Sequence, residues 1–186
     1  MQVLFALFAF GFIGWLLESL QESIVRKRIV NKGFFRGPFV LSQAIGGVAV
    51  YLVGASFRAH PAAVFFIGMA GCTLVEYLAA LFLEKVFQVR CWDYRTYPHT
   101  RFAHFRGRIC LTISLFFGAA SLAVVYVFWD MITVVTSALG PRLFWINAAL
   151  VLLFAFDAIY SITKVIKARI SGQALTGWAL FTLKEQ

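Results

Sequence analysis

The sequence predicts an all-α integral membrane protein, a bundle of five transmembrane helices with the N-terminus outside and the C-terminus in the cytoplasm. Three observations carry this expectation. First, 61% of the 186 residues are apolar and 13% charged, with mean hydropathy +0.83. A soluble domain holds roughly 25% charged residues, so this chain lacks the polar surface to coat a globule in water. Second, five segments approach the ~20 apolar residues that cross a hydrocarbon core. Third, the basic residues crowd onto alternate connections between those segments.

The expected spans cover about residues 3–22, 38–57, 62–84, 109–129 and 143–163, in one membrane domain over 1–170. The chain opens MQVLFALFAF with no basic n-region, so its first apolar segment reads as a retained helix rather than a cleaved signal. Glu18 and Glu22 interrupt the end of that helix. Arg58-Ala-His-Pro61 is too short for anything but an antiparallel hairpin between spans two and three, and Pro61 suits the first turn of the third. Residues 23–37 and 85–108 form two longer connections. Residues 130–142 read as a short, nearly neutral one ending in Gly140-Pro141. The tail, 171–186, carries Trp178 and Phe181 and is expected to lie in the cytoplasm or along the inner membrane surface.

Lys and Arg distribution sets the orientation. Of 17 such residues, 15 fall on residues 23–37, 85–108 and 164–186, leaving Arg58 and Arg142 for the other side. The net charge of +9 is therefore read as topology, and no nucleic-acid partner is expected. Cys72, Cys91 and Cys110 follow no metal spacing and read as reduced thiols.

Ionisable residues inside a membrane are costly, so they become functional candidates by default. Glu18, Glu76 and Asp157 each fall about 20–24 Å below the outer boundary of a roughly 30 Å core. They are expected to share one layer in the cytoplasmic half. Glu22 and Glu84 extend this set toward the inner surface, where structural ion pairs or snorkelling explain them equally well. Asp157 can instead bond Tyr160 or Ser161 a turn away. Lys85, Arg106, Arg108 and Arg36 are the expected counter-charges, since a carboxylate at this depth has to be neutral or paired.

The third connection mixes arginines with aromatics: Arg90, Trp92, Tyr94, Arg95, Tyr97, Arg101, Phe102, Phe105, Arg106 and Arg108. That mixture suits the interface and anionic lipid headgroups. Asp93 lies among them. His99 and His104 are too sparse a set to read as a metal site. Gly33, Gly37 and Pro38 in NKGFFRGP read as a tight turn that re-enters the membrane, with Pro38 starting the second helix. Gly46, Gly47, Gly68 and Gly71 suit close helix packing. No GxxxxGK[ST], HExxH, GxSxG or GxGxxG occurs, so neither a nucleotide-hydrolysing loop nor a hydrolase motif is present. No cofactor is expected.

The order of short motifs adds a resemblance. Gly14-Trp15-Leu16-Leu17-Glu18-Ser19 is followed by Asn31-Lys32-Gly33-Phe34 and Gly37-Pro38. Then come Glu76-Tyr77, Leu83-Glu84-Lys85, Trp92-Asp93-Tyr94 and Gly107-Arg108-Ile109-Cys110-Leu111. Over about residues 5–120 the chain resembles the bacterial putative ABC-transporter type IV family (CmpB-like putative ABC transporter permease). It departs after Gly37-Pro38, where FVLSQAIGG replaces a Pro-Ile-Tyr-Gly-like stretch. The resemblance implies a multi-pass protein of the bacterial cytoplasmic (inner) membrane. It implies a transporter permease subunit, a separate ATPase subunit pressing on the cytoplasmic loops, and a homo-oligomer or second permease subunit. The residues alone fit three roles: a permease subunit, an intramembrane enzyme acting on a lipid-linked or anionic amphipathic substrate, and a structural accessory protein. The candidate site residues are Glu18, Asn31, Glu76, Glu84, Trp92, Asp93, Tyr94, Arg108 and Asp157.

Overall fold

The structure, a computed structural model, describes residues 1–96 and 103–171, with Arg169 by its backbone alone. Five apolar helical rods account for most of it. The first is α1 (Gln2–Arg26). The second, α2 (Leu41–Gly54), runs on through a 3-10 turn, Ala55–Phe57. The third, α3 (Pro61–Phe82), continues as a π-helical turn, Leu83–Phe87. The fourth joins α4 (Leu111–Ala123), a second π turn (Val124–Phe128) and α5 (Trp129–Leu139). The fifth is α6 (Arg142–Ile170).

Four rods are long and apolar enough to cross a membrane: Gln2–Arg26, Pro61–Phe87, Leu111–Leu139 and Arg142–Ala168. The remaining rod, Leu41–Phe57, is shorter, about 25 Å at 1.5 Å per residue. The protein is thus all-α and multi-pass, with four to five apolar helices of spanning character.

Several expected boundaries move. Residues 130–142 are not a connection, because α5 carries the fourth rod on to Leu139 and only Gly140 and Pro141 separate it from α6. Pro38 does not start α2, which begins three residues later at Leu41. Pro61 does stand in the first turn of α3. Residues 172–186, with Trp178 and Phe181, lie outside the described residues, as do Tyr97, His99, Arg101 and Phe102.

NKGFFRGP folds back into the bundle as expected, with its tight turn at the C-terminal end, where the Phe39 N–H donates to the Gly37 carbonyl across Pro38 (2.8 Å). After Lys27, which closes α1 at φ 51°, residues 30–40 fold back into the bundle without regular structure. Backbone N–H groups in apolar surroundings need partners, and side chains of the neighbouring helices supply several. Val30 donates its N–H to Ser23 Oγ (2.9 Å), Lys32 to Ser19 Oγ (3.1 Å) and Arg36 to Ser161 Oγ (3.2 Å). Gly37 donates to Asp157 Oδ2 (2.9 Å), and Val40 to the Gly11 carbonyl partway along α1 (3.1 Å). Asn31 bridges too, accepting from Trp15 Nε1 (2.5 Å) and donating to the Arg36 carbonyl (2.6 Å). Two glycines meet distinct demands here. Gly33 has φ +126°, and a Cβ on Gly37 would sit 2.9 Å from Asp157 Oδ2.

The same segment carries Phe35 and Phe39 into a ring cluster with Phe8 and Phe154. Centroids are 5.0 Å apart for Phe35–Phe154, 4.8 Å for Phe39–Phe154 and 5.7 Å for Phe8–Phe39. This cluster fastens α1 to α6 through the re-entrant chain. Elsewhere small residues let helices approach: Gly47 faces Phe10, Gly46 faces Cys72 and Gly68 faces Ser121. Gly71 faces open space, so packing does not account for it.

The two longer connections gather at one end of the bundle, where Phe34 meets Phe87 at 5.1 Å and Val89, Cys91 and Val165 pack together. Arg58, between the second and third rods, pairs at 2.7 Å with Asp130 in the first turn of α5, and Tyr126 of the preceding π turn donates to the Arg58 carbonyl. Asn147, in the second turn of α6, donates to the Met1 carbonyl at the start of α1.

Candidate functional site

A cavity of about 510 Å³ lies among α2, α3, α6, the re-entrant segment and the connection after α3. That is the size of a small-molecule site. Its walls are mostly apolar, with side chains such as Leu41, Ile45, Leu78 and Phe82, and Glu18, Lys32, Ser42, Glu76 and Tyr94 supply the polar groups. Leu83 and Phe87, which also line it, belong to the π turn of α3. Such turns recur at functional sites because they re-aim side chains that a regular helix would place elsewhere.

Glu76 is buried at 7% exposure and accepts a hydrogen bond from the Tyr94 hydroxyl at 2.6 Å. Tyr94, 8% exposed, begins a 3-10 turn, and its N–H donates to the Gly107 carbonyl (2.9 Å). Burial, then the nearby Glu76 charge, pushes its phenol well above the usual tyrosine range. It therefore stays a hydrogen-bond donor at any ordinary pH. Glu18 takes a hydrogen bond from Gln43 Nε2 (2.9 Å) and faces Lys32 Nζ at 3.5 Å. Gly14 permits this contact, since a Cβ there would strike Gln43 at 2.4 Å.

Beside the cavity stands a lattice of ion pairs. Glu84 joins Arg108 and also takes Arg90 Nε at 2.8 Å. Arg90 reaches on to Asp93 at 2.7 Å, and Asp93 also binds Arg95. The Arg95 guanidinium, with help from Arg90, holds the Asp93 carboxyl well below the usual carboxylate range. Pairing with Glu84 raises Arg108 further above its ordinary value. Trp92 Nε1 donates to the Arg108 carbonyl (2.8 Å). A short hairpin, β1 (His104–Phe105) and β2 (Ile109–Cys110), returns Arg108 toward α3. Its turn places Arg106 and Gly107 at φ 52° and 73°, the positive-φ pair of a type I′ turn. Cys91, buried beneath this lattice, has its thiol pushed up to about 12.

The expected residues therefore fall into three groups. Glu18, Glu76, Trp92 and Tyr94 line the cavity. Glu84, Asp93 and Arg108 form the adjoining lattice. Asn31 and Asp157 hold the re-entrant chain. Asp157 does contact Ser161 (3.4 Å), but its shorter bond goes to Gly37. Tyr160 lies instead under the Arg36 guanidinium, at 5.2 Å. Of the expected counter-charges, Arg108 alone is paired with one of these carboxylates. Arg90 and Lys32 take the places foreseen for Lys85, Arg106 and Arg36, because the chain doubles back beside α1 and α3. Glu22 is 2% exposed and paired with Arg26 one turn on, so it is no snorkelling group.

Sequence reading passed over Lys32, Gln43, Arg90 and the hydroxyls of Ser19, Ser23 and Ser161 as site-building groups. A signal existed on α1, where Ser19 and Ser23 stand four apart on one face beside two glutamates. For metal, no cluster of three or more His, Cys, Asp or Glu side chains occurs among the described residues.

The family model described as putative ABC-transporter type IV matches residues 4–162. The chain belongs to this family. The match reaches past the motifs at 5–120 and takes in most of α6, so Asp157 and the helix that grips the re-entrant segment fall within it. No curated protein and no solved structure matches the chain. Membership in the putative ABC-transporter type IV family, together with the apolar rods, makes this a transporter-related, multi-pass membrane protein.

Proposed function

We propose that the chain is the permease subunit of a transporter, with five spans, N-terminus outside and C-terminus inside, and that the cavity beside Glu76 is its substrate site. One observation carries the reading: a cavity of about 510 Å³ within the apolar bundle, closed at its polar side by the buried Glu76–Tyr94 pair. A purely structural bundle has no need of such a space, and close-packed interiors rarely keep one. Two features suit a site that binds and releases. Its floor is irregular backbone lining a cavity at membrane depth, as in transporters with broken helices. Its polar groups are few and convergent.

In this reading the basic end faces the cytoplasm, in line with the charge rule. A separate ATPase, which the family points to, would act on the connection that carries Arg90, Asp93, Arg95 and Arg108. That connection is ion-paired through Glu84 to the π turn that ends the third rod, so a push on it reaches the cavity wall. Five rods form half of a transport path, and a second copy or second permease subunit completes it in the bacterial inner membrane.

The test is co-purification of the chain with a P-loop ATPase, followed by nucleotide-driven uptake into proteoliposomes. Glu76→Gln should lower uptake strongly while the protein remains folded. Modification of a lipid by the pure chain without nucleotide would overturn the reading in favour of an intramembrane enzyme. Reporter fusions after His60 and Leu139 should read outside, and after Arg28 and Thr100 inside.

A further inference from the structure

The cavity is not fully enclosed by protein. Leu41 and Ile45 at the start of α2, and Leu78 and Phe82 on α3, line it and are also 41%, 45%, 53% and 56% exposed. On the five-span reading proposed above, these four side chains face lipid tails rather than water. They frame a sideways mouth between α2 and α3. Behind the mouth the chemistry changes: among the described lining residues, the carboxyl groups of Glu18 and Glu76 stand with one ammonium, that of Lys32. Aromatic rings stand in the same wall, among them Phe34, Phe87 and Trp92.

We propose that the cavity takes an amphiphile that enters from the bilayer through this mouth, tail toward Leu78 and Phe82, with a cationic amine head received by Glu18 and Glu76. Carboxylates in excess over ammonium, together with aromatic faces, are the groups that recognise ammonium ions. The arginines that would suit an anionic head, Arg90 and Arg108, are paired with Glu84 in the lattice and do not line the cavity. An amine head would take the place of Lys32 at Glu18, and Glu76, held by the Tyr94 hydroxyl, would offer it a second oxygen acceptor. This inference rests on the cavity being the substrate site.

Trp92 in the cavity wall provides the readout. The purified chain in neutral phosphatidylcholine nanodiscs is titrated with a brominated dodecylammonium amphiphile and, separately, with a brominated dodecyl sulfate. The ammonium compound should quench fluorescence saturably, and Trp92→Phe should remove that component. Glu18→Gln and Glu76→Gln should each weaken binding about tenfold or more, and Leu78→Trp with Trp92 retained should slow the approach to saturation. Equal saturable quenching by the sulfate would overturn the proposal, as would no saturable quenching by the ammonium compound. Unchanged affinity in folded Glu18→Gln would also overturn it, even if Glu76→Gln fails to fold. Ammonium binding without any nucleotide-driven transport would leave this inference standing and sink the permease reading. Transport of another class of solute with no ammonium binding would do the reverse.

Discussion

Asp157 on α6 accepts the backbone N–H of Gly37, 120 residues away in sequence, at 2.9 Å. This bond ties the re-entrant segment to a helix that otherwise touches the bundle sparingly. Lipid tails are as apolar as the side chains they would replace, so burial of apolar surface contributes little to helix association in a membrane. Polar ties and close packing carry more of the load. Asp157 is such a tie.

Asp157→Ala should therefore leave the Gly37 N–H without its partner and lower stability by about 1–3 kcal/mol. Asp157→Asn keeps an acceptor oxygen and should cost less than half as much. Thermal unfolding in mild detergent measures both. Equal losses for the two variants would show that the hydrogen bond is not what holds the segment.

Gly68 and Gly71 make a matched pair one turn apart on α3. A Cβ at Gly68 would lie 2.0 Å from Ser121 Oγ, whereas one at Gly71 would meet nothing within 4 Å. Gly68→Ala should destabilise the protein by about 1–3 kcal/mol through overpacking. Gly71→Ala should be neutral or mildly stabilising, since alanine is the better helix former. The comparison needs only two melting curves.

The ion lattice predicts an acid response. Asp93 is held below its ordinary value by Arg95 and Arg90, so the folded state binds its proton less readily than the unfolded state does. Its contribution is complete above the unfolded value near pH 3.9 and shrinks as pH falls below that. Proteolysis of the connection after α3 should accelerate as pH drops below about 4. In Asp93→Asn that dependence should flatten, with cleavage already faster at neutral pH. An acid-stable protease and mass spectrometry of the fragments would follow it.

Glu84 binds both Arg90 and Arg108, so the three act as a unit. Glu84→Gln and Arg108→Gln should each lower the melting temperature, and the double variant should lose less than the two losses combined. Arg108→Lys should not rescue, because lysine cannot present the planar fork that meets a carboxylate. Strict additivity would mean that the pairing contributes nothing.

The sequence by itself determined the class of molecule. Apolar runs such as 62–84 are long and uninterrupted, and a chain with 13% charge has no soluble alternative. Helical hydrogen bonds are local, so α1 and α3 were legible from their own residues, as was Pro61 at the start of α3. The candidate carboxylates were legible as well, because a charge within an apolar run is conspicuous whatever the fold. Their partners were not. Lys32 reaches Glu18, Tyr94 reaches Glu76 and Gly37 reaches Asp157 only because residues 30–40 fold back between α1 and α6 and the connection after α3 folds under α3. Those paths are set by contacts far apart in sequence, the Phe35–Phe39–Phe154 rings and the serine hydroxyls of α1 and α6. No periodicity records such contacts. Tertiary structure therefore decided which charges meet, and that a cavity lies beside them.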